Sequence, residues 1–268
     1  MSSNLVINSS EKFNAEIIVP GDKSITHRAL MIGALSNGIC KISNYLQSDD
    51  CINTITVLKK LGVSINTYED NSLTINGKGL KSLKKPKNNL DAGNSGTLIR
   101  LLSGILSMQD FTSTITGDLS LQSRPMSRII EPLIKMGAVI QSSKNKPPLE
   151  FSKPLARDCC NEKIQIASAQ VKSCLILASL FVDGESIIIE NTKTRDHTER
   201  LLQYFDYDIK IDDNIIKLHG NQSLFAKDVV VPNDFSSASF FIVATLLKKD
   251  SEVLIKDVCI NKYRIGLI

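Results

Sequence analysis

Along the chain a short apolar strand runs four times into a small polar turn that opens a helix. The segments are IIVPGDKSITHRAL from Ile17, NLDAGNSGTLIRLL from Asn89, KIQIASAQVKSCLI from Lys163 and VVVPNDFSSASFFI from Val229. Taking Ser24, Ser95, Ala169 and Ser236 as the first helical positions, the copies lie about 70 residues apart. A second element keeps the same period. SDDCINTITVLKKLG, RPMSRIIEPLIKMG and TRDHTERLLQYFD each place apolar residues at helical spacing and end in Gly or Asp. Strand-like stretches lie between the two helices of a unit (GICKISNYL, TSTITGDLSL, ESIIIENTK, SEVLIKDVCI), and alternating strands follow the second helix. The predicted unit is strand–helix–strand–helix–strand–strand, present three times in full with the first half of a fourth. Such repeats bury their apolar faces against one another. The half-copy helix SSASFFIVATLL is almost wholly apolar and needs a neighbour to cover it.

The recurring helix start carries a chemical implication. The first N–H groups of a helix lack partners within it, and the dipole adds positive charge there, so a turn of Gly, Ser, Asn and Asp suits a phosphate or carboxylate. Ser and Asp also cap helices without any ligand, so one copy alone says little. Lys23 and Arg28 in the first copy and Arg100 in the second are cations placed against the dipole, which an anion would offset.

The 268 residues suffice for one large domain or two smaller ones, and 42% hydrophobic with 22% charged residues describes a globular chain. The net charge of +4 is mild, lysines cluster only from Lys81 to Lys87, and there is no Trp, which argues against nucleic-acid binding and for a small anionic substrate. MSSNLVINSSEKFNAE lacks a basic start with an apolar core, and no run of about 18 apolar residues exists, so neither a signal peptide nor a membrane span is expected, and a cytoplasmic location is. The six cysteines form no CxxC pair and read as buried reduced thiols; the three histidines form no HxxxH or HExxH pattern, so no metal is expected. Asp49 and Asp50 resemble paired acid catalysts, but capping or a salt bridge explains them more simply.

PGDKSITHRA, SDD, DAGNSGTLIRLLSG, GDLSLQSRPM, SAQVKS, TRDHTERLL and VPNDFSSASFF stand in order and cover essentially the whole chain. In these motifs the chain resembles the 5-enolpyruvylshikimate-3-phosphate (EPSP) synthase family, the 3-phosphoshikimate 1-carboxyvinyltransferases. The resemblance implies an α/β fold of two domains built from βαβαββ units. Residues 20–228 would form one complete three-repeat domain on the shikimate 3-phosphate side, with 1–19 and 229–268 parts of the second. Because the family has about six repeats, the chain is expected to lack most of that second domain, to end at an interior position, and to turn over slowly or not at all alone.

The implied reaction moves the enolpyruvyl group of phosphoenolpyruvate to the 5-hydroxyl of shikimate 3-phosphate through a tetrahedral intermediate, releasing phosphate, with no cofactor or metal. Partners other than these substrates are not implied, and a monomer is expected for a full-length member. By resemblance Lys23, Ser24, Arg28, Ser168, Ala169, Gln170 and Arg195 bind shikimate 3-phosphate, and Lys23, Asn94, Gly96, Arg124 and Gln170 meet phosphoenolpyruvate. Lys23 is the candidate for proton transfer, which desolvation among cations would favour. Arg124 offers a fork that lysine could not replace. Arg100 is expected at or just behind the site, and His197 is open between a structural and a functional role. Alternatives are a non-catalytic shikimate 3-phosphate-binding fragment and the related UDP-N-acetylglucosamine enolpyruvyltransferase, whose loop cysteine has no counterpart here between Cys51 and Cys159.

Overall fold

A computed structural model describes residues 12–268. Residues 1–11, on which the reading for a leader and the start of the 1–19 piece fall, lie outside the described residues. Strand β1 (Asn14–Ile17) opens the described chain. The first unit continues with α1 (Lys23–Leu35), β2 (Asn37–Ser43), α2 (Asp49–Lys60), β3 (Ser64–Thr67) and β4 (Ser72–Lys78). The second has β5 (Leu90–Asp91), α3 (Gly96–Leu106), β6 (Ser113–Thr116), α4 (Leu119–Ser123), α5 (Ser127–Lys135), β7 (Val139–Ser143) and β8 (Lys146–Ser152). The third has β9 (Asn161–Ile164), α6 (Ala169–Ser179), β10 (Glu185–Glu190), α7 (His197–Tyr204), β11 (Ile209–Asp212) and β12 (Ile215–His219). The fourth copy supplies β13 (Val229–Val230), α8 (Phe235–Leu246) and β14 (Glu252–Ile255). One short helix was not expected: the LSLQS of the stretch read as a strand is α4, because Asp118 accepts the Leu121 N–H at 2.7 Å and starts a turn there.

Three four-stranded sheets follow the period, in the orders β13-β2-β4-β3, β5-β6-β8-β7 and β9-β10-β12-β11. Each alternates an inward apolar face with a polar outer one; Leu73 and Ile75 on β4 and Leu149 and Phe151 on β8 are fully buried or nearly so. The first helix of each unit is buried all round: Ile25–Leu35 in α1 and Val171–Ser179 in α6 are buried without interruption. Their hydroxyls are satisfied within the helix, as where Ser103 donates to Ile99 O at 2.6 Å and Ser179 to Leu175 O at 2.8 Å. Helices α3 and α6 touch so closely that a Cβ on Gly104 would stand 2.1 Å from Cys174 O. The second helices are amphipathic and cover the outside.

The first and fourth copies exchange their leading strands. The expected strand at Ile17–Val19 ends at Ile17; β1 pairs in parallel with β14, in the register Asn14↔Glu252 to Ile17↔Ile255. The leading strand of the fourth copy, β13, which the sequence boundary at 229 assigned to the second body, is instead hydrogen-bonded to β2 in the first sheet. Between the strands and their helices the two segments cross. Asp22 N–H donates to Pro232 O and Asp234 N–H to Pro20 O, both at 2.8 Å, and Gly21 bridges Asn233. A Cβ on Gly21 would lie 2.0 Å from Asn44 O, so the crossing needs glycine there. Helix α8 buries only Phe235 and Ala238; Phe240 and Leu246, with Leu247 just beyond the helix, are exposed although its sequence is largely apolar.

Candidate active site

All four expected helix starts exist, one residue away from the expected position in three cases. The helices begin at Lys23, Gly96, Ala169 and Phe235, and the preceding Asp22, Ser95, Ser168 and Asp234 are their caps. Each cap side chain accepts a backbone N–H two or three residues on, at 2.6–3.3 Å. The starts of α1, α3 and α8 open on one cavity of about 620 Å³, and α6 reaches it through Gln170 in its first turn. Lys23, Arg100, Arg124, Arg195 and Arg264 line it, against the carboxylates Asp22, Asp50 and Asp234, so its walls carry an excess of positive charge. A larger cavity of about 780 Å³ lies between α7, β13 and the loop after β14; it is lined mainly by apolar side chains and holds none of the predicted site residues.

Lys23, Ser24, Asn94, Gly96, Arg124, Gln170 and Arg195 line the smaller cavity, as do Arg100 and Asp50. Arg124 donates to Asn94 Oδ1, and Asn94 in turn donates to Asp118 at 2.6 Å, which fixes the amide and aims the guanidinium. Gly96 is where this cluster needs the absence of a side chain: a Cβ would lie 2.7 Å from Arg100 Nη1 and 3.0 Å from Arg124 Nη1. Burial, with Arg124 and Arg128 nearby, lowers the Arg100 pKa. Gln170 donates to Thr97 Oγ1 at 2.9 Å, tying the third unit to the second. Arg195 donates to Ser24 Oγ at 2.8 Å, tying the third to the first.

Lys23 departs from its expected environment. Its side chain is 44% exposed and its ammonium is ion-paired with Asp50, so it is neither fully desolvated nor surrounded only by cations. That pair is also the salt bridge anticipated for the Asp49–Asp50 run. Arg28, Ser168 and Ala169 do not line the cavity. Arg28 is 3% exposed and its guanidinium is committed to Thr198 Oγ1 (2.7 Å), Ser173 Oγ (2.8 Å) and Ser24 O (2.9 Å). Burial lowers its pKa to about 10, with Arg195 adding to the effect. Ser168 spends its oxygen on capping α6 and faces a smaller neighbouring cleft that shares Arg100 and Gln170 with the main cavity.

Beneath the loop that carries Arg195 lies a buried charge cluster. Lys172, 1% exposed, pairs with Glu190 at 2.8 Å and Glu199 at 2.7 Å, and Glu190 also accepts from Thr194 N–H at 3.2 Å. Burial pushes the Glu199 carboxyl up, with Lys172 opposing. His197 is 5% exposed, borders the larger cavity, and is held neutral by burial with a pKa of about 3. Asp22, His197 and Cys259 bring ligand-type atoms within 4.8 Å of one another. Arg28 and Arg195 both depress the His197 pKa, and the same positive field opposes a metal cation. Among the cysteines, Cys40, Cys51, Cys160 and Cys174 are buried with raised thiol pKa values, while Cys159 and Cys259 are half-buried.

The expected site residues did not include Asp22, Thr97, Asp234 or Arg264, and Ser236 was read only as a helix start. Asp234 had a signal, since VPNDFSS repeats the cap-and-serine spacing of VPGDKS. Arg264, in INKYRIGLI, belongs to none of the repeated motifs and had none. In its sequence and its fold this chain is matched by known proteins. A sequence model of EPSP synthase (3-phosphoshikimate 1-carboxyvinyltransferase) matches residues 7–268. The chain is 46% identical over 266 residues to a 3-phosphoshikimate 1-carboxyvinyltransferase of Ruthia magnifica subsp. Calyptogena magnifica, covering 99% of this chain and 61% of that protein. It is 46% identical over 262 residues to one of Petrotoga mobilis, covering 97% and 61%. A solved EPSP synthase from Acinetobacter baumannii superposes with a TM-score of 0.88 at 41% identity, covering 95% of this chain and 57% of that one. The chain thus spans about three-fifths of the length of the curated relatives it matches, and over that span it belongs to the EPSP synthase family.

Proposed function

We propose that this chain carries the substrate-binding face of a 3-phosphoshikimate 1-carboxyvinyltransferase, binding shikimate 3-phosphate and phosphoenolpyruvate side by side. The observation that carries this reading is the cavity itself, where five cationic side chains from three units and the fourth copy converge. Two multiply anionic molecules require such an excess of charge-assisted donors. In the reaction the 5-hydroxyl of shikimate 3-phosphate gives up its proton as its oxygen bonds to C2 of phosphoenolpyruvate, and a proton adds at C3. Loss of a C3 proton and departure of phosphate from C2 then regenerate the double bond. Arg124, steadied by Asn94, would grip phosphoenolpyruvate, and Lys23 stands at the start of α1 where a proton can be handed over. Ser24 and Arg195 would face the anionic groups of the ring substrate, and Gln170 the junction of the two. Arg28, behind Ser24, would orient this wall through Thr198 and Ser173 rather than meet the ring directly.

We also infer the domain division: the three-sheet body is one domain, reached from residue 20, and the pieces flanking it belong to a second. Pairing of β13 with β2 supports a return crossing at Val231–Asp234 rather than at Val229.

Isothermal titration of the 268-residue chain tests the binding reading. Shikimate 3-phosphate should bind at one site, and Lys23→Met should weaken it. Phosphoenolpyruvate should bind in its presence and lose affinity in Arg124→Lys. Absence of any saturable binding by the folded chain would rule the reading out.

A further inference from the structure

Two arginines face each other across the crossing of the segments. Arg195, from the loop before α7, donates to Ser24 Oγ at 2.8 Å. Arg264, from beyond β14, donates to Ser236 Oγ at 2.6 Å. The two serines occupy equivalent places, each the second residue of its helix, so the exchanged strands have set a matched serine–arginine pair on either side of one gap. Burial first and Arg264 next lower the pKa of Arg195, which places the two guanidiniums within electrostatic reach.

Among the described residues neither arginine has a carboxylate within ion-pair distance, although ten other side chains with positive charge make such pairs. Asp22 and Asp234 act on Arg195 from beyond ion-pair distance, and their oxygens accept the capping N–H groups of α1 and α8. Two like-charged forks held close, with no carboxylate in ion-pair contact with either, suit an oxyanion with several acceptor oxygens that both can reach.

We propose that Arg264 is a further substrate-binding residue, which with Arg195 holds one oxyanion of the ring substrate between the three-sheet body and the α8 piece. The proposal deepens the reading given above and rests on it. It also gives ligand binding a mechanical consequence, because the two arginines come from opposite sides of the crossing and a shared anion draws those sides together.

The test is calorimetric titration of the whole chain and its Arg264→Gln and Arg264→Lys variants with shikimate 3-phosphate, shikimate and inorganic phosphate. Arg264 is exposed, and matching melting curves would show that the variants fold. Loss of one charge-assisted contact should weaken shikimate 3-phosphate about tenfold to a hundredfold in Arg264→Gln, with Lys recovering part of the loss. If the oxyanion is the phosphate ester, inorganic phosphate weakens in parallel and shikimate does not. If it is the ring carboxylate, shikimate weakens in parallel instead. Wild-type binding of shikimate 3-phosphate with Arg264→Gln unchanged within about twofold overturns this inference and leaves the proposed function standing. Failure of the wild-type chain to bind any of the three overturns both.

Discussion

Acidification should unfold this protein through a histidine that the chemistry does not use. His27 lies on the core side of α1 with no exposed surface. Its Nδ1 is 2.8 Å from Thr54 Oγ1, and that hydroxyl donates to Asp50 O at 3.2 Å, so Nδ1 carries the proton and Thr54 accepts it. Nε2 is then a bare lone pair, buried with no partner. Burial, aided by Arg28 and Lys23 and opposed by Asp50, lowers the pKa from 6.5 to about 3. The folded pKa lies below the unfolded one, so this stability is complete above pH 6.5 and is lost as the pH falls toward 3. Between pH 7 and pH 5 the unfolded state gains most of one proton that the folded state refuses, a loss of about 2 kcal/mol. His197, also lowered to about 3, adds a similar amount. Urea unfolding at the two pH values measures the sum, and His27→Gln isolates the one site. The variant starts less stable, but its loss between pH 7 and pH 5 should be about 2 kcal/mol smaller than that of the parent. Carboxylate contributions are common to both and cancel. Equal losses in the two proteins, or an NMR titration of the His27 ring with a midpoint above pH 6, would refute the reasoning.

Other substitutions probe the core, the site and the crossing. Lys172→Met leaves Glu190 and Glu199 buried without their cation and should cost about 3–5 kcal/mol in urea unfolding at pH 8. Since those carboxyls would then be raised, the loss should shrink as the pH falls. Gly96→Ala puts a methyl against the ends of Arg100 and Arg124, which are flexible, so the melting temperature should barely move while phosphoenolpyruvate affinity drops in calorimetry. Gly21→Ala meets the Asn44 carbonyl, which cannot swing aside, and should cost about 1–3 kcal/mol or more, with limited proteolysis cutting first near the crossing. A Gly21→Ala protein as stable and protease-resistant as the parent would remove the close approach as a constraint.

Most of the repeat was readable because each unit obeys local rules. The buried helices are apolar on every side, the outer ones on one side, and the strands alternate with a period of two. Caps announced the helix starts to within a residue. Lys23, Asn94, Gly96, Arg124, Gln170 and Arg195 were named through the family resemblance of their motifs, and they do share one cavity. Local rules failed where the outcome depended on distant partners. That Arg28 is consumed by Thr198 and Ser173, far along the chain, is invisible in THRAL. That Lys23 meets Asp50 depends on how α2 packs beside α1.

The exchange of strands shows why such information is absent rather than merely faint. IIVPGDKS and VVVPNDFS present the same apolar run, proline, capping aspartate and serine. Either run could pair with either sheet, so periodicity and propensity do not choose between them. The choice is made by what each run meets: β13 finds the open edge of β2, and β1 finds β14. Once made, it forces the following turns to pass each other, with Asp22 bonded to Pro232 and Asp234 to Pro20. The fourth helix start therefore opens toward the first, although the sequence places them roughly 200 residues apart. A cavity walled from both sides of the chain, with Arg195 and Arg264 on opposite banks, follows from that single pairing decision.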